Sequence, residues 1–154
     1  MALSDVNIKE FIKRGQVEID PLVTSNIGPA SYDLRSAQDV ILKPREQKLV
    51  ATLERINLSS SVLGILHLRS SFAREGLFAS LALVDPGFRG QLTVSLLNAG
   101  NEIVKMERGE AFLQLTIIQL SSNAEKSYDG IYQDSYGIAQ SGRKISAKKL
   151  ANST

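Results

Sequence analysis

The chain has 154 residues, 43% hydrophobic and 22% charged, which suits one globular domain with a real core and argues against disorder. With no cysteine and a single histidine, His67, it excludes disulfide scaffolds, thiolate nucleophiles, sulfur-ligated zinc and multi-histidine metal centres. The formal charge of +2 is uneven: no acidic residue follows Asp134, whereas Arg143, Lys144, Lys148 and Lys149 are basic, and the first 134 residues hold 14 basic against 16 acidic side chains.

No apolar run approaches the roughly 18 residues of a membrane span, and residues 1–10 lack the basic-then-apolar pattern of a leader. The expectation is a soluble, cytoplasmic protein. Residues 4–15 read as a short helix, with Ser4 as cap, Ile8, Phe11 and Ile12 on one face, and Gly15 as the stop. Short apolar stretches then recur at 31–35, 40–42, 49–53, 62–68, 81–84, 91–97 and 111–120, punctuated by turn residues such as Asp85-Pro86-Gly87. Many short strands at this spacing predict an all-β sandwich or barrel. Along 91–97, Leu92, Val94 and Leu96 share one face, and Gln91, Thr93 and Ser95 the other. Along 111–120, Leu113, Leu115 and Ile117 share a face, while Phe112 and Ile118 fall opposite with Gln114 and Thr116. Burial against another subunit or inside a sandwich would each explain two partly apolar faces.

Four polar segments could carry chemistry. Arg69-Ser70-Ser71-Phe72-Ala73-Arg74 ends the 62–68 strand with a guanidinium and two hydroxyls, a set that suits an anionic phosphate or carboxylate and equally suits a plain helix start. It lacks the glycines and lysine of a P-loop. Asp85-Pro86-Gly87-Phe88 is first a turn signal, and it also places a carboxylate fit to act as a general base close to an aromatic ring. Asp33, on a half-buried strand, needs a partner, and Arg35 on the same face is the expected one. Gln114, an amide in an apolar run, must satisfy its hydrogen bonds on backbone, partner chain or ligand. His67, on the strand before Arg69, reads as structural.

In this order the four segments resemble the motifs of the dUTPase and dCTP deaminase superfamily: Ala30-Ser31-Tyr32-Asp33-Leu34-Arg35, Arg69-Ser70-Ser71, Val84-Asp85-Pro86-Gly87-Phe88-Arg89-Gly90, and 109–114. The resemblance covers residues 3–137. It implies a distorted jelly-roll-like β fold with a short N-terminal helix, assembled as a homotrimer with shared active sites. The opening helix, Arg74 and the pair Tyr132-Gln133 look like dCTP deaminases. Those enzymes, however, carry a glutamate where this chain has Ser95, and the segment 90–100 looks more like a dUTPase. Moving protons to a ring nitrogen and a leaving amine suits a carboxyl and not a hydroxyl.

The expectation is therefore a Mg²⁺-dependent hydrolysis of dUTP to dUMP and pyrophosphate in a single domain, 1–137, followed by a basic tail, 138–154. The resemblance gives Asp85 to the attacking water and Asp33 to the metal through water. It gives Arg69, Ser70, Ser71, Gln114 and Arg74 to the phosphates, and Ser80, Leu81, Leu83 and Phe88 to base and sugar. Tyr132, Gln133, Arg143 and Lys144 are the tail candidates. The alternatives are a dCTP deaminase, mono- or bifunctional, and a non-catalytic nucleotide-binding homologue. Nucleic acid is not an expected partner: the body is acidic, and its nine aromatic residues, four Tyr and five Phe, form no stacking pattern.

Overall fold

The computed structural model describes residues 1–143. Helix α1 (Asp5–Lys13) begins at Ser4, whose hydroxyl accepts from Asn7 N at 3.4 Å, and ends before Gly15 at φ +68. Ile8 and Phe11 bury its inner face, as their spacing predicts. Ten strands follow: β1 (Val17–Asp20), β2 (Tyr32–Arg35), β3 (Val40–Leu42), β4 (Gln47–Leu58), β5 (Val62–Leu68), β6 (Leu77–Ala79), β7 (Leu83–Val84), β8 (Arg89–Asn98), β9 (Val104–Met106) and β10 (Ala111–Gln119). A five-residue helix, α2 (Ser70–Arg74), joins β5 to β6.

The strands form two antiparallel sheets, β1-β4-β8-β6 and β2-β10-β5-β7, with β3-β9 as a separate ribbon. The core contains Leu92, Val94 and Leu96 of β8 together with Leu113, Leu115 and Ile117 of β10. This is the expected jelly-roll-like all-β architecture. On β8 the alternation holds: Gln91, Thr93 and Ser95 are half-buried on the outer face. On β10 a bulge between Ala111 and Leu113 turns Phe112 into the core as well, so Phe112 does not belong to an outer apolar face. Only Ile118 remains there, half-buried beside Gln114 and Thr116.

The predicted stretch 49–53 continues to Leu58 because Glu54 does not end the strand. Its carboxylate has no solvent exposure and accepts from Arg35 N at 2.8 Å and Arg35 Nε at 2.6 Å. Arg35 therefore pairs with Glu54 and not, as expected, with Asp33. Among the described residues no helix is long and apolar enough to cross a membrane.

Candidate active site

The turn after β7 sets the first half of the site. Phe88 N donates to Asp85 O at 3.1 Å, with Pro86 at the first corner and Gly87 at φ +82 at the second. That is a type II turn, whose second corner needs the positive φ that glycine tolerates. The turn leaves Asp85 exposed and folds Phe88 inward, edge-on to Tyr128 with ring centroids 5.6 Å apart. The short β7 stays in place through close packing on β5: a Cβ at Gly64 would lie 2.6 Å from Leu115 Cδ1 and 3.2 Å from Val84 Cβ.

Asp85 opens into a cleft of about 550 Å³ between this turn and the outer face of β8. Ser80, Leu83, Phe88 and Tyr132, which the resemblance gives to base, sugar and tail positions, line it, and so does Ser95. Leu81 is exposed and is not among the lining residues. Gln91 and Thr93, on the polar face the alternation of 91–97 left available for a site or for water, also line the cleft, and so does Gln47, which was not singled out. Gln47 follows the break at Lys43-Pro44-Arg45-Glu46, and the pairing of β4 with β8 carries it to the cleft.

The chain after Tyr132 runs along the same face. Gln91 N donates to Ser135 O at 2.9 Å, and Ala139 N donates to Thr93 Oγ1 at 3.0 Å. Gly142 N donates to the Tyr132 hydroxyl at 3.0 Å. Gln133, a tail candidate, braces the turn: its Nε2 donates to Gly87 O at 2.9 Å and its Oε1 accepts from Arg89 N at 2.8 Å. Asp134 accepts from Arg89 Nε at 2.5 Å and Nη2 at 2.7 Å, and from Arg55 Nη2 at 2.7 Å. The Arg89 hydrogen bonds, with the charges of Arg89 and Arg55, hold the Asp134 carboxyl below its ordinary value. Arg143 is exposed, and Lys144 lies outside the described residues.

The second half of the site lies on the other strands of the sheet to which β7 belongs. Gln114 of β10 is in register with Asp33 of β2 on one side and His67 of β5 on the other. Gln114 Nε2 donates to Asp33 Oδ1 at 3.4 Å, and Arg69 Nε is 3.8 Å from Asp33 Oδ2. Asp33 thus finds Arg69 and Gln114 in place of Arg35. Ser70 and Ser71 open α2 and Arg74 closes it, all three exposed. His67 is exposed beside this row.

Within one chain the halves stay apart. Val84 pairs with Gly64, and Arg69 lies five residues further along from Gly64, about 17 Å at a strand's rise per residue. Asp85, Phe88, Ser80 and Leu83 are brought together, and so separately are Asp33, Arg69 and Gln114. For a metal, no group of three or more His, Cys, Asp or Glu among the described residues is arranged to hold an ion. A cage built by the protein alone does not fit. A hard cation carried largely by substrate phosphates and water, with Asp33 as the one carboxylate near it, does fit.

A family model described as dCTP deaminase-like matches residues 36–120. A dCTP deaminase of Thermococcus gammatolerans is 41% identical over 145 residues, 84% of this chain and 92% of that one. A probable deoxyuridine 5'-triphosphate nucleotidohydrolase of Sulfolobus islandicus rod-shaped virus 1 is 36% identical over 154 residues, 90% of this chain and 96% of that one. Among solved structures, the native EIAV dUTPase superposes with a TM-score of 0.54 at 28% identity, over 66% of this chain and 85% of that one. A mutant dUTPase from phage phi11 of S. aureus, described with a structural Mg(II) ion, gives a TM-score of 0.59 at 17% identity over 75% and 97%. The order of motifs, the two-sheet fold and these matches agree: the chain belongs to the dCTP deaminase-like family within the dUTPase and dCTP deaminase superfamily.

Proposed function

We propose that this enzyme hydrolyses dUTP to dUMP and pyrophosphate. The observation that carries this reading is the cleft itself: Asp85 is the one carboxylate among its lining residues, and the outer face of β8 supplies only Gln91, Thr93 and Ser95. Deamination of cytosine without zinc needs a carboxyl beside the base, and Ser95 stands where the resembled deaminases place one.

Asp85 accepts the proton of a water whose oxygen attacks the α-phosphorus, and pyrophosphate leaves with the electrons of the broken P–O bond. Arg69, Ser70, Ser71 and Gln114, with Arg74 on the same short helix, bind and orient the phosphates as charge develops on them. Asp33 would hold, through water, a Mg²⁺ ion bound with the nucleotide, and that ion would supply charge neutralisation of the triphosphate. Ser80 and Leu83 border the base, and Phe88 presents its ring to the deoxyribose. Because Asp85 and Arg69 of one chain lie too far apart to hold one triphosphate between them, the site is completed by a second copy, in a homotrimer.

A specific observation favours a second reading. The relative at 41% identity carries the name dCTP deaminase. Offering dUTP and dCTP separately with Mg²⁺ and separating the products decides between the two. The hydrolase reading expects dUMP and pyrophosphate from dUTP and no ammonia from dCTP; stoichiometric ammonia overturns it. Asp85→Asn should still bind dUTP while kcat falls by at least about a hundredfold, the usual worth of a general base. Near-normal pyrophosphate release by that variant removes Asp85 from the role.

A further inference from the structure

Gln47 has no part in the chemistry above, yet it stands on the cleft wall with its amide on Ser95. In the pairing of β4 with β8, Gln47 is opposite Leu97 and Leu49 is opposite Ser95, so Gln47 and Ser95 are diagonal neighbours on one face. Gln47 Nε2 donates to Ser95 Oγ at 2.5 Å. The Ser95 main chain is fixed by an exchange with Ser80: Ser80 N donates to Ser95 O at 2.9 Å, and Ser95 N donates to Ser80 Oγ at 3.1 Å. Among the described residues, Ser95 Oγ makes no other hydrogen bond and Gln47 Oε1 makes none. All three side chains line the cleft.

A hydroxyl that accepts from an amide still has its own hydrogen to give. The wall therefore presents an O–H donor from Ser95 next to an amide oxygen acceptor from Gln47. Uracil offers the complementary edge, a 4-oxo acceptor next to an N3–H donor. Cytosine offers the reverse, a 4-amino donor next to an N3 acceptor, and would set donor against donor and acceptor against acceptor.

We infer that Gln47 is a base-selecting positioning residue: by donating to Ser95 Oγ it directs the Ser95 hydroxyl hydrogen into the cleft, so the wall accepts a 4-oxopyrimidine and disfavours a 4-aminopyrimidine. This rests on the reading of the cleft as the dUTP site. The polarity is reversible by one substitution. In Gln47→Glu the new carboxylate only accepts, captures the Ser95 hydrogen, and leaves Oγ lone pairs facing the base.

The test measures binding of the α,β-imido analogues of dUTP and dCTP to the full chain with Mg²⁺, alongside steady-state kinetics. For Gln47→Glu the dUTP-to-dCTP affinity ratio should fall by about tenfold or more, the worth of one reversed hydrogen bond. Gln47→Ala should lower the ratio by a few-fold through KM, with kcat on dUTP within about twofold of the parent. Ser95→Ala should lower it similarly, and the double variant should lower it by less than the two single effects combined, because the Ser95 donor depends on Gln47 whereas the Gln47 amide oxygen faces the base on its own. A ratio unchanged in Gln47→Glu, or independent effects in the double variant, overturns the inference. Binding is read apart from turnover: if the parent chain releases no pyrophosphate from dUTP, the hydrolase reading falls, while the analogue ratio still decides the role of Gln47.

Discussion

A carboxylate stripped of water must be compensated where it sits, and among the described residues Arg35 alone compensates Glu54, through one backbone and one side-chain donor. Removing the acid leaves the guanidinium half-buried and unpaired, with Arg35 Nη2 already lacking a partner among the described residues. Glu54→Ala should therefore lower the unfolding free energy by about 3 kcal/mol, read as a shifted urea midpoint with an unchanged slope. This pair also marks what one strand in isolation cannot say. Asp33 and Arg35 share a face of β2, so pairing them is the local solution, but β2 lies between Glu54 of one sheet and Gln114 of the other. Long-range neighbours claim each charge separately. Asp85, Phe88 and Arg69 were legible because turn chemistry and strand ends fix them locally; Gln47 was not, because its function depends on a strand partner 48 residues away.

At the scale of elements, the segment after Tyr132 is held to β8 by a charged clasp at its root and by Gln91 and Thr93 further along. Asp134 takes the left-handed conformation at φ +59 to reach both Arg89 and Arg55. Its carboxyl titrates below the ordinary value of 3.8 because the charged form is the one Arg89 holds. The clasp is thus fully present above that value and is lost as pH falls through the lower folded-state value. Asp134→Asn should open the clasp at neutral pH: protection of the amides of Gly137, Ala139 and Gly142 should fall several-fold, and the loss of protection expected on acidifying the parent chain should vanish. Exchange rates indistinguishable from the parent would show that the segment is held by other contacts. β5, β8 and β10 were legible as apolar stretches between turn residues, and β8 also by its alternation. β1, β6 and β9, of three or four residues each, were not, although β2 and β3 are no longer.

For the whole molecule, the separation of the two half-sites on one chain makes a quantitative demand on the assembly. Asp85→Asn and Arg69→Ala each disable every site in a pure oligomer. If each site takes Asp85 from one copy and Arg69 from another, unfolding and refolding an equal mixture should restore about a quarter of the parent activity, because a quarter of the neighbour pairs combine two intact halves. Activity no higher than that of either variant would place both residues of a site on one chain. The fold as a whole was legible because the turn residues and apolar stretches recur at a sandwich's spacing. A shared site was expected only through the resemblance; no local pattern carries it, because the separation follows from β7 and β5 running antiparallel, which sends Asp85 and Arg69 to opposite ends of the pair.

Gly64 carries no functional group and lies outside the cleft, yet the position of Asp85 depends on it. A two-residue strand has little pairing with which to resist displacement, and a side chain at Gly64 would press on Val84 at 3.2 Å from its Cβ and on the tip of Leu115. The constraint on the site therefore reaches beyond its polar residues.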